Sequence, residues 1–171
     1  MRAKAEKITG TKLKSLMPNF VNLPYFYPFF GYFFVTLLSL SLVNITVFFY
    51  MKISIITATY NSEKTLQDTL KSVLRQDYND IEHILVDGAS TDTTVDIIRN
   101  YASTTDKYAV RWVSEKDHGI YDAMNKGIAM ATGDVIGILN SDDYYTSSDV
   151  LSRLIKPFSD AAVEAVYGDI H

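Results

Sequence analysis

Ile53-Ser54-Ile55-Ile56-Thr57-Ala58-Thr59-Tyr60-Asn61-Ser62-Glu63 carries the reading on which the fold turns. Its first seven residues are β-branched and almost continuously apolar, the pattern of a strand buried on both faces of a parallel sheet. After Tyr60, Asn61-Ser62-Glu63 is polar and opens a helix, in which Leu66, Leu70, Val73 and Leu74 recur at three- and four-residue spacing through Gln76. A buried strand, a polar turn and an amphipathic helix make one βα unit.

The same unit recurs along the chain. Ile81 to Val86 reads as a second strand ending at Asp87, and Thr93 or Thr94 caps a helix carrying Val95, Ile97, Ile98 and Tyr101. Val110 to Val113 is a short third strand, followed by a helix over Ile120 to Ala131 that Thr132-Gly133-Asp134 ends. Val135 to Leu139 is a fourth strand. Ser147 or Ser148 then caps a helix to about Ile155, Pro157 stops it, and Ala162 to Tyr167 reads as a fifth strand. Strands alternating with helices predict an α/β fold, a mostly parallel sheet with helices on both faces.

Four polar clusters each follow an apolar run: Thr59-Tyr60-Asn61, Asp87-Gly88-Ala89-Ser90, Glu115-Lys116-Asp117 and Asn140-Ser141-Asp142-Asp143. In a parallel sheet all strands point their carboxyl ends to one edge, so these clusters converge in a single crevice. Three of them carry carboxylates, which suits a metal-bound phosphate ligand better than an apolar one. The turn after the first strand has neither Gly-x-Gly-x-x-Gly nor Gly-x-x-x-x-Gly-Lys-Ser/Thr, so both common phosphate cradles are missing and side chains with a metal must hold the ligand.

Each cluster also has a plainer reading. Asp-Gly is a common turn and Ser90-Thr91 suits a helix start, although Asp87 at a strand end can also accept hydrogen bonds from a nucleobase or ribose. Asp142 and Asp143 are either a solvated turn or hard oxygen ligands for Mg²⁺ or Mn²⁺. In Asp117 to Gly133, Ala123, Met124, Ile128 and Ala131 read as core contacts and Tyr121 as packing, while Asp117, Asn125 and Lys126 are the polar members facing a ligand, Lys126 approaching a diphosphate as a point charge. His118 reads as a loop residue before it reads as a base. His83 and His171 have no evident partners.

The chain has 171 residues, 47% of them apolar, enough for one domain and something extra. Charge is unevenly placed. Residues 1–51 carry five basic residues against Glu6, a net of +4, and residues 52–171 carry 11 basic and 19 acidic, a net of −8, together the −4 of the whole chain. A domain so acidic lacks the basic footprint of a nucleic-acid binder. With no cysteine there is neither disulfide nor thiol chemistry, and cytosol is permitted.

Residues 1–28 form a basic N-terminal segment, and Phe29 to Tyr50 is 22 residues without a charge. At about 1.5 Å per residue such a helix crosses the ~30 Å hydrocarbon layer, so a transmembrane helix is expected at 29–50, with Pro24 and Pro28 at its start and Tyr25, Tyr27 and Tyr50 at the interfaces. Basic residues ahead of the span favour a cytoplasmic N-terminus and would send a following domain across the membrane. Met51-Lys52 leaves no stem before the first strand, so Met51 is an alternative translation start that makes residues 1–50 upstream sequence. The expected localisation is membrane-associated with the catalytic domain in the cytoplasm, or simply cytoplasmic if translation starts at Met51.

Ser54 to Asn61, Val86 to Asp92, Asp117 to Gly133 and Leu139 to Asp143 together resemble family 2 glycosyltransferases of the GT-A (Rossmann-like) fold, in order and spacing over residues 52–171. The resemblance implies an inverting transferase that moves a sugar from a nucleotide-diphosphate-sugar donor to a hydroxyl of a sugar or lipid-linked saccharide acceptor, in polysaccharide or O-antigen synthesis. It implies that Thr59, Tyr60, Asn61, Glu63 and Asp87 line the nucleoside pocket, with Ser90, Asp117, Asn125, Lys126 and Asn140 also on the donor. Asp142 and Asp143 fall on the metal-binding Asp-x-Asp segment. Two positions depart from the family: Gly88 stands where a second acid is frequent, and Asn140 replaces the first acid of Asp-x-Asp. The family's general base lies beyond the donor-binding half, so no catalytic residue is expected within this chain and 52–171 reads as a domain incomplete at its C-terminus. A donor-binding remnant without turnover is the alternative. A sugar-phosphate nucleotidyltransferase would need a glycine-rich, basic first loop that is not here.

Overall fold

The computed structural model describes residues 51–168. Four strands form one sheet: β1 (Ile53–Thr59), β2 (Ile81–Asp87), β3 (Ala109–Ser114) and β4 (Val135–Ile138), in the order β3-β2-β1-β4 and parallel throughout. The connecting helices are α1 (Leu66–Leu74), α2 (Thr94–Thr104) and α3 (Ile120–Met130), and α4 (Val150–Ile155) follows β4 and runs into a 3₁₀ turn at Lys156–Ser159.

The continuous apolar run in β1 is explained by two cores. Ile53 and Ile55 join Ile81, Leu85, the α1 residues Leu66, Leu70 and Val73, Ile98 and Tyr101 of α2, and Leu151 of α4 on one face. Ile56 and Ala58 join Ile84, Val86 and Ala123 of α3 on the other, with Met124, Ile128 and Ala131 packed against them. Each such buried aliphatic side chain contributes about 1.5–3 kcal/mol by leaving water. Gly127 is where α3 crosses β1, and a Cβ there would collide with the Ile56 side chain. Among the described residues α3 covers that face, and on it the β4 side chains Ile136 and Ile138 are exposed.

Two buried polar groups tie the strands together. Glu82 accepts from Ser54 Oγ and Thr132 N, both at 2.6 Å, and pairs with Lys52 Nζ at 3.5 Å. Burial by itself would raise its carboxyl, but the bonds from Ser54 and Thr132 and the Lys52 charge outweigh that and hold it below the usual range. His83, without an evident partner in the sequence, lies 3.0 Å from Thr57 Oγ1 and 2.9 Å from Tyr101 Oη, which in turn meets Tyr108 Oη at 2.7 Å. Complete burial pushes the imidazole down to about 3, so the ring is neutral.

Three expectations need correction. The first helix begins at Leu66 rather than at Asn61-Ser62-Glu63, because those residues spend their backbone groups on a neighbouring loop and Asn61 takes a left-handed φ of 49°. The predicted strand Ala162–Tyr167 does not form among the described residues; only an isolated bridge at Tyr167 is present, and the segment's side chains are exposed or half-buried, giving no buried face to hold a ladder. Tyr121, read as packing, is 69% exposed. Among the described residues no helix is long and apolar enough to cross a membrane; the span expected at 29–50 lies outside them.

Candidate functional site

The strand order changes direction between β1 and β4, since β2 and β3 lie to one side of β1 and β4 to the other. In such sheets the crevice outside the carboxyl ends at this point is where ligands bind. The loops after β1 and β4 border it, and those after β2 and β3 close one side.

The loops after β1 and β2 are joined residue by residue. Asn61 N donates to Ser90 Oγ at 2.8 Å, Asn61 Oδ1 accepts from Thr91 N at 2.9 Å, and Ser62 N donates to Thr94 Oγ1 at 2.8 Å. Glu63 completes the series: its N–H reaches Asp92 and its carboxylate accepts from Thr93 N and Oγ1. The helix start therefore differs from the sequence reading, with no side-chain cap from Thr93 and with Asp92 accepting from Thr94 N. Beneath this seam Asp87 is fully buried and accepts from Thr59 Oγ1, Ser90 N, Ser90 Oγ and Ser114 Oγ. Ala89 adopts a φ of 62°, which turns the chain back so that Ser90 faces the carboxylate.

The loop after β3 folds onto this assembly. A Cβ on Gly88 would stand 2.6 Å from Asp117 Oδ2, so glycine lets the two loops touch; the frequent second acid could not fit there without moving Asp117. Asp117 Oδ1 also accepts from Gly119 N at 2.9 Å, at the entry to α3. Lys126 is drawn to Glu115 at 2.9 Å and to Asp122 at 3.7 Å, and its hydrogen bond to Glu115 keeps its ammonium above the usual range. It is thus already ion-paired beside the site. Asn125 lies exposed on α3, and His118 is an exposed loop residue whose backbone N–H bonds Asp122.

The loop after β4 is seated differently. Ser141 Oγ meets Ser62 Oγ at 2.8 Å, and Thr69 Oγ1 of α1 donates to the carbonyls of Ser141 and Asp143 at 3.0 and 2.7 Å. Its backbone is therefore fixed, whereas its ligand-type side chains bond little beyond one another. Asp142 is exposed, Asp143 half-buried, and Asn140 Nδ2 donates to Asp143 Oδ2 at 3.0 Å. Asn140 Oδ1 is buried with no hydrogen-bond partner among the described residues. An unpaired buried acceptor costs about 1–3 kcal/mol, which a water or a ligand group reaching it would offset.

Among the described residues no group of three or more Asp, Glu, His or Cys side chains is placed to hold a metal. Asp142 and Asp143 with the free Asn140 oxygen nevertheless supply hard oxygen donors, the type that Mg²⁺ and Mn²⁺ take alongside phosphate oxygens and water. The structure places Thr59, Tyr60, Asn61, Glu63, Asp87, Ser90, Asp117 and Asn140 to Asp143 in the strand ends and loops at one edge of the sheet. Sequence reasoning missed Ser62, Thr69 and Ser114, which join the loops; Ser114, a hydroxyl at a strand's carboxyl end like Asp87, was the one legible signal.

The profile of Glycosyl transferase family 2 matches residues 54–171. The chain belongs to that family. Among curated proteins, this family 2 chain is 42% identical over 108 residues to an uncharacterised glycosyltransferase of Mycobacterium tuberculosis, covering 63% of the chain and 40% of that protein. It is 37% identical over 118 residues to a PGL/p-HBAD biosynthesis glycosyltransferase of Mycobacterium bovis, covering 68% and 46%. The chain thus spans less than half the length of these relatives. Among solved structures it is similar to the mannosyltransferase PcManGT of Pyrobaculum calidifontis in complex with GDP-Man and Mn²⁺, with TM-score 0.61 and 30% identity over 64% of the chain and 33% of the other. It is also similar to S. aureus TarS 1-349 in complex with UDP-GlcNAc, with TM-score 0.54 and 31% identity over 63% and 32%.

Proposed function

We propose that this crevice takes a nucleotide-diphosphate sugar and that the protein transfers the sugar, with inversion, to a hydroxyl of a saccharide or lipid-linked acceptor. The observation that carries the reading is the contrast within one loop: a tightly held backbone presents Asp142, Asp143 and an unpartnered Asn140 oxygen at the sheet's switch point. The nucleoside lies toward Tyr60 and Asn61, and the diphosphate toward Asn140, Asp142 and Asp143. A divalent ion held by those three would neutralise the departing diphosphate. Family membership and the nucleotide-sugar complexes of PcManGT and TarS support the ligand class. The charge-free run 29–50 supports a membrane anchor.

The test is calorimetric titration of the purified protein with GDP and UDP, with and without Mn²⁺. Binding strengthened about tenfold or more by the ion is expected, about 1.4 kcal/mol. Equal binding in both conditions contradicts the metal assignment, and no binding of either nucleotide contradicts the donor site.

A further inference from the structure

We propose that Asp87 is a positioning residue: its carboxylate holds the loops after β1, β2 and β3 together and makes no contact with the nucleobase, whose selection is therefore independent of it. The inference rests on the reading that a nucleotide occupies this edge. It separates from that reading because Asp87 sits where a strand-end acid would be taken for the base-reading group.

The stoichiometry of the carboxylate decides the matter. An ionised carboxylate offers about four acceptor positions. Here Oδ1 receives Thr59 Oγ1 at 3.1 Å and Ser90 Oγ, and Oδ2 receives Ser90 N at 3.0 Å and Ser114 Oγ at 2.7 Å. The residue has 0% exposure, and its own carbonyl accepts from Glu115 N at 2.9 Å. A ring N–H of a base would have to evict one of these donors, leaving a buried hydroxyl or amide unpaired at a cost comparable to what the new bond returns.

What Asp87 does govern is the loop above it. Thr59 is tied to it, and the next residue, Tyr60, is 64% exposed. Ser90 is tied to it twice and in turn receives the amide of Asn61. One carboxylate therefore sets Tyr60 and Asn61 from below and the Ser90–Thr94 stretch from the side. Tyr60 presents a ring that any base can stack on, a contact that tolerates base identity.

The experiment compares wild type, Asp87→Asn and Ser114→Ala for GDP and UDP binding with Mn²⁺, alongside amide hydrogen exchange. Ser114 contributes only a donor to Asp87, so its loss isolates the positioning effect in a variant that folds even where Asp87→Asn does not. Expected are a loss of about fivefold in affinity for Ser114→Ala and tenfold or more for Asp87→Asn, parallel for both nucleotides, with their ratio held within about twofold. Amides of residues 60–63 and 88–92 exchange faster in both variants while those of α3 are unchanged; a general loss of stability would speed all of them. A GDP-to-UDP ratio shifted about tenfold or more by Asp87→Asn, or unchanged loop exchange in Ser114→Ala, overturns the proposal. Failure of wild type to bind either nucleotide sinks the donor site instead, and the exchange arm still decides the role of Asp87.

Discussion

The loops after β1 and β2 border the same crevice as the loop after β4, yet they are built on opposite terms. In the first pair, Asn61, Ser62 and Glu63 bond Ser90 to Thr94 one after another, and Asp87 accepts from four donors below them. In the second, Thr69 and Ser62 fix the backbone while Asn140 Oδ1 is buried with no hydrogen-bond partner among the described residues, beside two acids. A loop whose polar groups are satisfied within the protein is a scaffold. One that keeps a buried acceptor without a partner among the described residues, beside the exposed Asp142 carboxylate, has oxygen donors left over for a ligand. Substitutions in the first region should therefore move loop order or stability and reach binding only through it, whereas those in the second should move binding directly.

The largest expected effect lies in the scaffold beneath both. His83 is held neutral with its imidazole pushed down to about 3, whereas in the unfolded chain it titrates near 6.5. The unfolded state thus binds the extra proton, and stability is present above about pH 6.5 and declines by up to about 1.4 kcal/mol per unit as pH falls toward 3. Urea midpoints at pH 7 and pH 5 check this, and in His83→Gln the difference should shrink markedly. A wild-type midpoint that does not fall between those pH values would show that His83 is accessible.

Gly88→Ala comes next. Its Cβ would stand 2.6 Å from a carboxylate oxygen of Asp117, so that side chain must turn away and give up its hydrogen bond from Gly119 N, and a loss of about 0.5–1.5 kcal/mol is expected in chemical denaturation. An unchanged midpoint would mean that the β2 and β3 loops are not in contact. The smallest effect is the stability change in Asp142→Ala, expected within about 0.5 kcal/mol because the side chain is exposed and makes no hydrogen bond among the described residues. A loss above about 1 kcal/mol there would place Asp142 with the scaffold and erase the contrast.

How much of this was legible in the sequence follows from how local each signal is. The runs Ile53–Thr59 and Ile81–Asp87 announce buried parallel strands because all their side chains are enclosed, and the edge they share follows from topology. The start of α1 was misplaced because Asn61-Ser62-Glu63 has the composition of a helix opening but bonds a loop about 30 positions away. The strand at 162–167 was misread because its side chains are exposed or half-buried, so among the described residues composition alone does not extend the bridge at Tyr167 into a ladder. That Asp87 is saturated was not readable at all, since Ser114 reaches it from 27 positions along the chain. Asn140 was readable only as a departure from an acidic motif; its orphaned oxygen is a fact of packing.

The most direct test of the site is a titration of GDP into wild type and into Asp142→Ala/Asp143→Ala, each with and without Mn²⁺, with a urea midpoint for both proteins. The open loop predicts that the double variant keeps its midpoint within about 1 kcal/mol and loses the metal-dependent part of binding, about tenfold or more in affinity, or about 1.4 kcal/mol. Undiminished Mn²⁺-dependent binding in the double variant would contradict it.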